Sequence, residues 1–380
     1  MSDYIPTELL AEILIRLPVQ TLIRFTSVCK SWYSLITSPS FITKHLNHST
    51  TTTNEILVLN AFNLDERKER YLLRRGGEIF GDEFSKLEYP LETPFVDKRI
   101  LGSCNGLLCI VTGKDTLPPR IDLWNPSIKK SLTLPAPPLP RSDYDLWFVW
   151  GFGAHPKTHE YMVVFIVYEM SRGQPQMLPC KVQVYTQGTG SWRSVASTGH
   201  PHCAVAGDYF PAFVNGAVHS IALEVRGLDA GGPRSLIMLF NMGSQAFSVF
   251  IMPTALGSVN PFLLSIASYG ESLAVLCQES SLEGPLEGPF SIWVMKEYGV
   301  AESWAKLYNI TPPILLDQNH QIAFRKNGEV LLSTFDHQLL SYDRDTKTFV
   351  TIGYAGYLDF FVAHNFVDSL VLVLPGHGFF

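Results

Sequence analysis

The sequence predicts an α+β multidomain chain: an N-terminal module of three short helices, followed by an all-β propeller of about six blades. Three observations predict it. Residues 5–36 carry apolar side chains at helical spacing. From Glu55 onward that spacing disappears, and short β-rich runs alternate with Gly, Pro, Asn and Asp. Within that second part, one two-strand phrase returns at intervals of about 50 to 60 residues.

The helical module reads IPTELLAEILIRLPVQTLIRFTSVCKSWYSLI from Ile5 to Ile36. On a wheel of about 100° per residue, Glu8, Glu12 and Arg16 gather on one narrow face of the first helix, Glu8–Leu17. Leu9, Leu10, Ile13, Leu14 and Leu17 cover the opposite side, and Ala11 and Ile15 extend it. The apolar arc spans roughly two-thirds of the circumference, where a surface helix needs little more than about 100°. One short neighbour cannot cover it. Pro18 resets the chain at a first helical position. Two further apolar stretches follow, Val19–Val28 and Cys29–Ile36, ended by Thr37-Ser38-Pro39. Three helices of this size rarely stabilise themselves alone, so the surplus apolar surface reads as a partner site. The competing reading packs it on the remainder of the same chain. Ser38-Pro39 then starts a short helix through Leu46, and the polar stretch that follows reads as a linker. The expected division is 1–46 helical module, 47–54 linker and 55–380 propeller.

The β-rich part contains runs such as EILVLNAF, GLLCIV, YMVVFIVY, AVHSIAL, SLAVLCQ and EVLLST. The recurring phrase is an apolar strand, a polar turn and a second strand: IDLWNPSIKKSLTL, VQVYTQGTGSWRSV, IMLFNMGSQAFSVF, SIWVMKEYGVAESWAKL and LLSYDRDTKTFVTI. A period near 50 residues with four strands per unit describes propeller blades. Five phrases are visible, and Glu55–Pro90 supplies a sixth unit. The late run Ser369–Leu374 either closes the ring or completes the first blade. A pair of β-sandwiches is the alternative, but it does not predict the repeated phrase.

Composition narrows the function. Hydrophobic residues make up 46% and charged residues 17% of the chain, which describes a well-cored globular protein rather than a disordered one. The net charge of −6 and the lack of a dense basic patch argue against nucleic-acid binding. The N-terminus lacks a basic segment followed by an apolar run, and no apolar run reaches the length of a membrane span. No membrane association is expected. Six scattered cysteines point to free thiols in a reducing compartment, cytoplasmic and/or nuclear.

Catalytic patterns are missing from the sequence: there is no nucleophile elbow, phosphate loop or HExxH. His200-Pro201-His202-Cys203 has metal-ligand residue types but no second pair to complete a tetrahedral site. Cys104 and Cys109, read as one strand, face opposite sides and suit a core better than a metal. His155 and His159 sit beside Pro156 in a predicted turn. No catalytic residue, metal or cofactor is expected. The aromatic run Tyr144–Trp150 offers Tyr144, Trp147 and Trp150 as candidate binding anchors, although Trp147 and Phe148 also suit the opening of a core strand. Ser171–Leu178, Arg226–Arg234 and Gln278–Pro289 are longer than a hairpin needs and are candidate recognition loops.

The N-terminal residues carry a resemblance. Ile5-Pro6, LLAEIL, RLPV, LIRF and VCKSWYSLI resemble the F-box, a three-helix module that docks on a Skp-family adaptor of a cullin-based ubiquitin ligase. A second resemblance covers Ile100–Ile352. GSCNGLLCI, LWNPSIKK, GFGAHPKTHEYMVV, FVNGAVHSIA and KNGEVLLS are similar, in order, to the plant F-box-associated domain of type 1, a kelch-like propeller. The resemblance implies a substrate-receptor subunit of an SCF-type ligase, without covalent chemistry of its own. It implies adaptor contacts at Pro6, Leu9, Ile13, Leu17, Pro18, Leu22 and Trp32, some of which must instead hold the helices together. It also implies cullin as an indirect partner and a protein substrate on the propeller. A propeller interaction scaffold and a propeller enzyme are the alternatives.

Overall fold

The structure is a computed structural model. It describes residues 5–52, 56–63, 68–75, 85–90, 98–112, 118–140, 145–170, 181–196, 203–205, 211–224, 234–279, 289–313, 316, 322–325, 328–334, 338–352 and 362–371.

The helical module consists of α1 (Thr7–Leu14), α2 (Val19–Phe25), α3 (Lys30–Ile36) and α4 (Pro39–Thr52). Pro6 and Pro18 precede α1 and α2 as N-cap residues, with ψ of 142° and 147°. Proline cannot donate there, so the orphan N–H is absent rather than unsatisfied. The last helix runs to Thr52, through most of the stretch expected as a linker. Ser and Thr usually favour loops because their hydroxyls compete for backbone partners. In α4 those hydroxyls turn back onto the helix itself: Thr50 donates to the Asn47 carbonyl at 2.9 Å, and Thr51 to the Asn47 and His48 carbonyls at 3.0 Å. Phe41, Ile42, His45, Leu46 and Ser49 form the buried face of the same helix.

The strands come in six groups. The first is β1 (Ile56–Asn63), β2 (Lys68–Arg75) and β3 (Ser85–Leu87). The second is β4 (Lys98–Cys104), β5 (Leu107–Thr112), β6 (Arg120–Asn125) and β7 (Lys130–Thr133). The third is β8 (Asp145–Ala154), β9 (Tyr161–Met170), β10 (Lys181–Thr186) and β11 (Ser191–Val195). The fourth is β12 (Cys203–Val205), β13 (Ala212–Val214), β14 (Ala217–Glu224), β15 (Ser235–Asn241) and β16 (Ala246–Phe250). The fifth is β17 (Leu264–Tyr269), β18 (Ser272–Gln278), β19 (Phe290–Met295) and β20 (Trp304–Ile310). The sixth is β21 (Ile322–Phe324), β22 (Val330–Ser333), β23 (Leu339–Asp343) and β24 (Thr348–Ile352), after which β25 (Val362–Phe366) returns to the first.

Among the described residues these strands make six antiparallel sheets. Each of the five repeated phrases is the outer hairpin of one sheet, β6–β7, β10–β11, β15–β16, β19–β20 and β23–β24. The inner strands touch in a closed circle, β25 to β4 to β8 to β13 and β14 to β17 to β21 and back to β25. The fold is therefore a six-bladed propeller. Strand β25 pairs with β1, Ile56 opposite Phe366, so the C-terminal side of the chain supplies the innermost strand of the first blade. The expected closing run, Ser369–Leu374, is not that strand; its described part, Ser369–Val371, lies beyond β25 and is not in a sheet. Cys104 and Cys109 also fall on two strands, β4 and β5, joined by the Asn105–Gly106 turn.

Six apolar clusters fill the seams between neighbouring blades. Strand β9 shows why the middle strands read as continuous apolar runs. Tyr161, Val163, Phe165 and Val167 face the seam with the second blade, and Met162, Val164, Ile166 and Tyr168 face the seam with the fourth. Gly151 lets β8 approach the fourth blade closely: a Cβ there would lie 2.6 Å from a Val218 methyl. The cluster between the second and third blades continues into the helical module through Leu14, Val19, Leu22, Ile36, Phe41, Ile42 and Leu46.

Candidate protein-docking surface on the helical module

One flank of the module is sealed and another is open. Leu14 is 1% exposed and Leu22 is fully buried, whereas Leu9 and Ile13 on the same first helix are 58% and 54% exposed. Leu9 and Ile13, four residues apart, share one face of α1, and exposed Ile5 precedes the Pro6 N-cap. Around the α2–α3 turn Ile23, Val28 and Tyr33 are exposed as well. Phe25 and Trp32 tie α2 to α3 by an edge-to-face contact, with ring centroids 5.1 Å apart. Thr26 and Ser27 end α2 by donating their hydroxyls to the Ile23 and Arg24 carbonyls. They line a shallow open groove of about 530 Å³ with Cys29, Lys30, Tyr33 and Ser34. The Cys29 thiol is held below its ordinary pKa by the Ser31 hydroxyl, 3.2 Å away, and by the Trp32 N–H. This arrangement offers aliphatic and aromatic groups to a protein surface and leaves the charges of Glu8, Glu12 and Arg16 in water.

The residues named from the sequence separate cleanly. Pro6, Leu9, Ile13 and Pro18 are exposed, Leu17 and Trp32 are half-buried, and Leu22 is a core residue that holds the helices together. Leu22 has no free surface to offer. Sequence reasoning did not single out Ile5, Val28 and Tyr33 as surface groups.

The aromatic run is different. Tyr144 lies outside the described residues. Trp147 and Trp150 sit on β8, the innermost strand of the third blade. Trp150 is 7% exposed and stacks on Phe165 at 4.1 Å between centroids, and half-buried Trp147 packs into the seam with the fourth blade. Alternation along β8 sends Leu146, Phe148, Trp150 and Phe152 to one seam and Trp147 and Val149 to the other. These tryptophans are wedges between blades, and Trp150 has no free face for a partner.

Ser171–Leu178 lies outside the described residues, as do Arg226–Arg234 and Gln278–Pro289 except at their ends. The strands that flank them, β9 and β10, β14 and β15, β18 and β19, are antiparallel neighbours. The strand ends next to them lie on the opposite side of the blades from the Asn105–Gly106 and Pro126–Lys129 turns, and on the side of those turns Asp368 bonds Ser127 and acts on His45 of the helical module. His155 closes a tight turn, its Nδ1 accepting the N–H groups of Lys157 and Thr158 at 3.1 Å. Of His200–Cys203 only Cys203 is described, buried at the start of β12. Among the described residues no group of three His, Cys, Asp or Glu side chains converges, and no helix is long and apolar enough to cross a membrane.

Comparison with known proteins agrees with this geometry. A family model described as an F-box associated beta propeller domain matches residues 81–370, and an F-box domain model matches residues 3–44. The matching model is the third type of this domain, whereas the resemblance named type 1; the propeller and its F-box association are common to both. In Arabidopsis thaliana, the F-box/kelch-repeat protein At3g23880 is 26% identical across 89% of this chain and 87% of its own length. The F-box protein At3g07870 is 26% identical across 94% and 89%, and the F-box protein CPR1 is 23% identical across 98% and 90%. With the helices, the six blades and the open apolar flank in place, the chain belongs to the F-box proteins that carry an F-box associated β-propeller.

Proposed function

We propose that this chain is the substrate-receptor subunit of an SCF-type cullin ubiquitin ligase. The F-box docks a Skp-family adaptor, and through it cullin, while the propeller holds a target protein. The reading is carried by one observation: Leu9 and Ile13 stand open on one face of α1, on a module whose other side is embedded in the propeller seam. An apolar stripe that the chain does not cover itself suits a helical protein partner. Pro6, Pro18 and half-buried Trp32 belong to the same proposed docking surface. The chain contributes no covalent step. It raises the effective concentration of target lysines at the ubiquitin-carrying enzyme. Target capture belongs on the rim away from the F-box, where the target does not compete with the adaptor for space. The complex works in the cytoplasm, the nucleus or both.

Co-expression of the full chain with a Skp-family adaptor tests this. A stoichiometric complex is expected on size exclusion, and Leu9→Asp combined with Ile13→Asp abolishes it while the β-sheet circular dichroism is unchanged. A double variant that still co-purifies with the adaptor would overturn the reading. Leu17→Asp is a poorer probe because Leu17 is half-buried and its change disturbs the fold as well.

A further inference from the structure

The residue that opens the outer hairpin turn has the same duty in three blades. Oδ1 of Asn125 accepts the Ser127 N–H at 2.9 Å, Oδ1 of Asn241 accepts those of Gly243 and Ser244 at 2.9 Å, and Oδ1 of Asp343 accepts that of Asp345 at 2.8 Å. An aspartate serves there as well as an asparagine. In the second blade the amide nitrogen has an additional role that no aspartate can fill. Nδ2 of Asn125 lies 3.0 Å from the Ser369 carbonyl, 2.9 Å from the Val371 carbonyl and 3.2 Å from the Ser369 hydroxyl.

The segment it grips, Val367–Val371, follows the ring-closing strand β25 directly. Asp368 accepts the Ser127 hydroxyl at 2.8 Å and pairs with Arg75 at 2.5 Å, so the segment is tied to the first and second blades together. Ser369 is sealed from solvent. The Asn105–Gly106 turn passes so close that a Cβ on Gly106, where φ is +80°, would lie 2.6 Å from the Val367 carbonyl. Leu370 and Val371 are buried in the same cluster as Leu14, Leu22, Ile36, Phe41, Ile42 and Leu46 of the F-box helices. The segment is therefore pinned to the propeller by its polar groups, shares its apolar cluster with the helices, and lies close enough to α4 for Asp368 to act on His45.

We propose that Asn125 and Val367–Val371 form an orientation lock that holds the F-box helices at a fixed angle on the propeller. Asn125 is its positioning residue. The lock keeps the open flank of α1 at a constant separation from the opposite rim. Its consequence for ubiquitin transfer, a fixed zone in which target lysines are presented, rests on the receptor reading above. The lock itself does not, and its test needs no adaptor.

The full chain carrying Asn125→Asp retains the turn acceptor, loses the donor and sets a carboxylate against two carbonyl oxygens. Asn241→Asp makes the same chemical change in a turn outside the lock. Amide hydrogen exchange reads the outcome region by region. In Asn125→Asp the amides of α1–α4 are expected to exchange at least about tenfold faster, with the fifth and sixth blades unchanged. In Asn241→Asp the helices stay at the wild-type rate. Helices that keep their protection in Asn125→Asp, or that loosen equally in Asn241→Asp, would overturn the proposal. If Asn125→Asp does not fold, Leu370→Ala decides: it leaves every polar tie in place, and helices as protected as in the wild type would again rule the lock out.

Discussion

Helix α1 and strand β9 are both dominated by apolar side chains, yet they use them in opposite ways. Every residue of β9 from Tyr161 to Val167 is buried, alternate residues filling the seams on either side of the third blade. In α1, Leu14 is sealed while Leu9 and Ile13 stand more than half exposed. A strand in the middle of a blade has a packed neighbour on both faces, so a continuous apolar run needs no outside partner. A helix of eight residues has one packed side, and an apolar arc wider than that side is left over. What marks the docking surface is the excess over the available neighbours, not the amount of apolar residue.

Substitution in a seam should break the comparison most visibly. Phe165→Ala removes a fully buried ring stacked on Trp150, and is expected to destabilise the propeller by about 3–5 kcal/mol in urea unfolding. Acid acts on the same sealed side. His219 on β14 is fully buried; its Nδ1 lies 3.2 Å from the Ala212 carbonyl and therefore carries the proton, and its Nε2 accepts the Tyr298 hydroxyl at 2.8 Å. Burial pulls its pKa down from 6.5 to about 4. The unfolded chain takes up this proton first as pH falls, so the stability is complete above 6.5 and lost between 6.5 and about 4. The expected loss from His219 is about 3 kcal/mol across that window, and His219→Gln should make the pH profile of the unfolding midpoint shallower there, the remaining slope coming from His364, whose pKa burial also lowers to about 4. Gly151→Ala pushes a methyl onto Val218 and is expected to cost about 1–3 kcal/mol, with partial recovery in the double variant Gly151→Ala/Val218→Ala. At the small end, Leu9→Ala in the isolated chain should change stability by no more than about 0.5 kcal/mol. A loss of 2 kcal/mol or more, the lower end expected for a buried leucine, would mean that the stripe is covered by its own chain.

The contrast also explains what could be read in advance. The five hairpin phrases were legible because an outer hairpin repeats its apolar spacing and its turn, and each one is a β-hairpin in the fold. The helices were legible from spacing and from the two prolines. The extent of α4 was not, because Ser49–Thr52 has the composition of a loop and only the buried face through His45 and Ser49 shows it to be helix. The closing strand was misplaced because VAHNF carries no more strand pattern than the run after it. The pairing of Ile56 with Phe366 is a long-range contact that local sequence does not encode. Trp150 was misjudged for a related reason: an aromatic is as suitable for wedging blades apart as for gripping a partner, and only Phe165 beneath it decides. Of the adaptor-facing residues, Leu22 could not be told from Leu9 without knowing which side of α2 meets the propeller seam.

The central claim is that the open flank of α1 is a partner surface and not an unfinished core. Calorimetric titration of a Skp-family adaptor into the full chain, run for the wild type and for Ile13→Asp alongside their thermal unfolding, puts the two properties side by side. The expected result is binding weakened at least about 100-fold, roughly 2.7 kcal/mol, with the unfolding midpoint unchanged. Equal affinity for both chains, or a midpoint that falls together with the affinity, would contradict it.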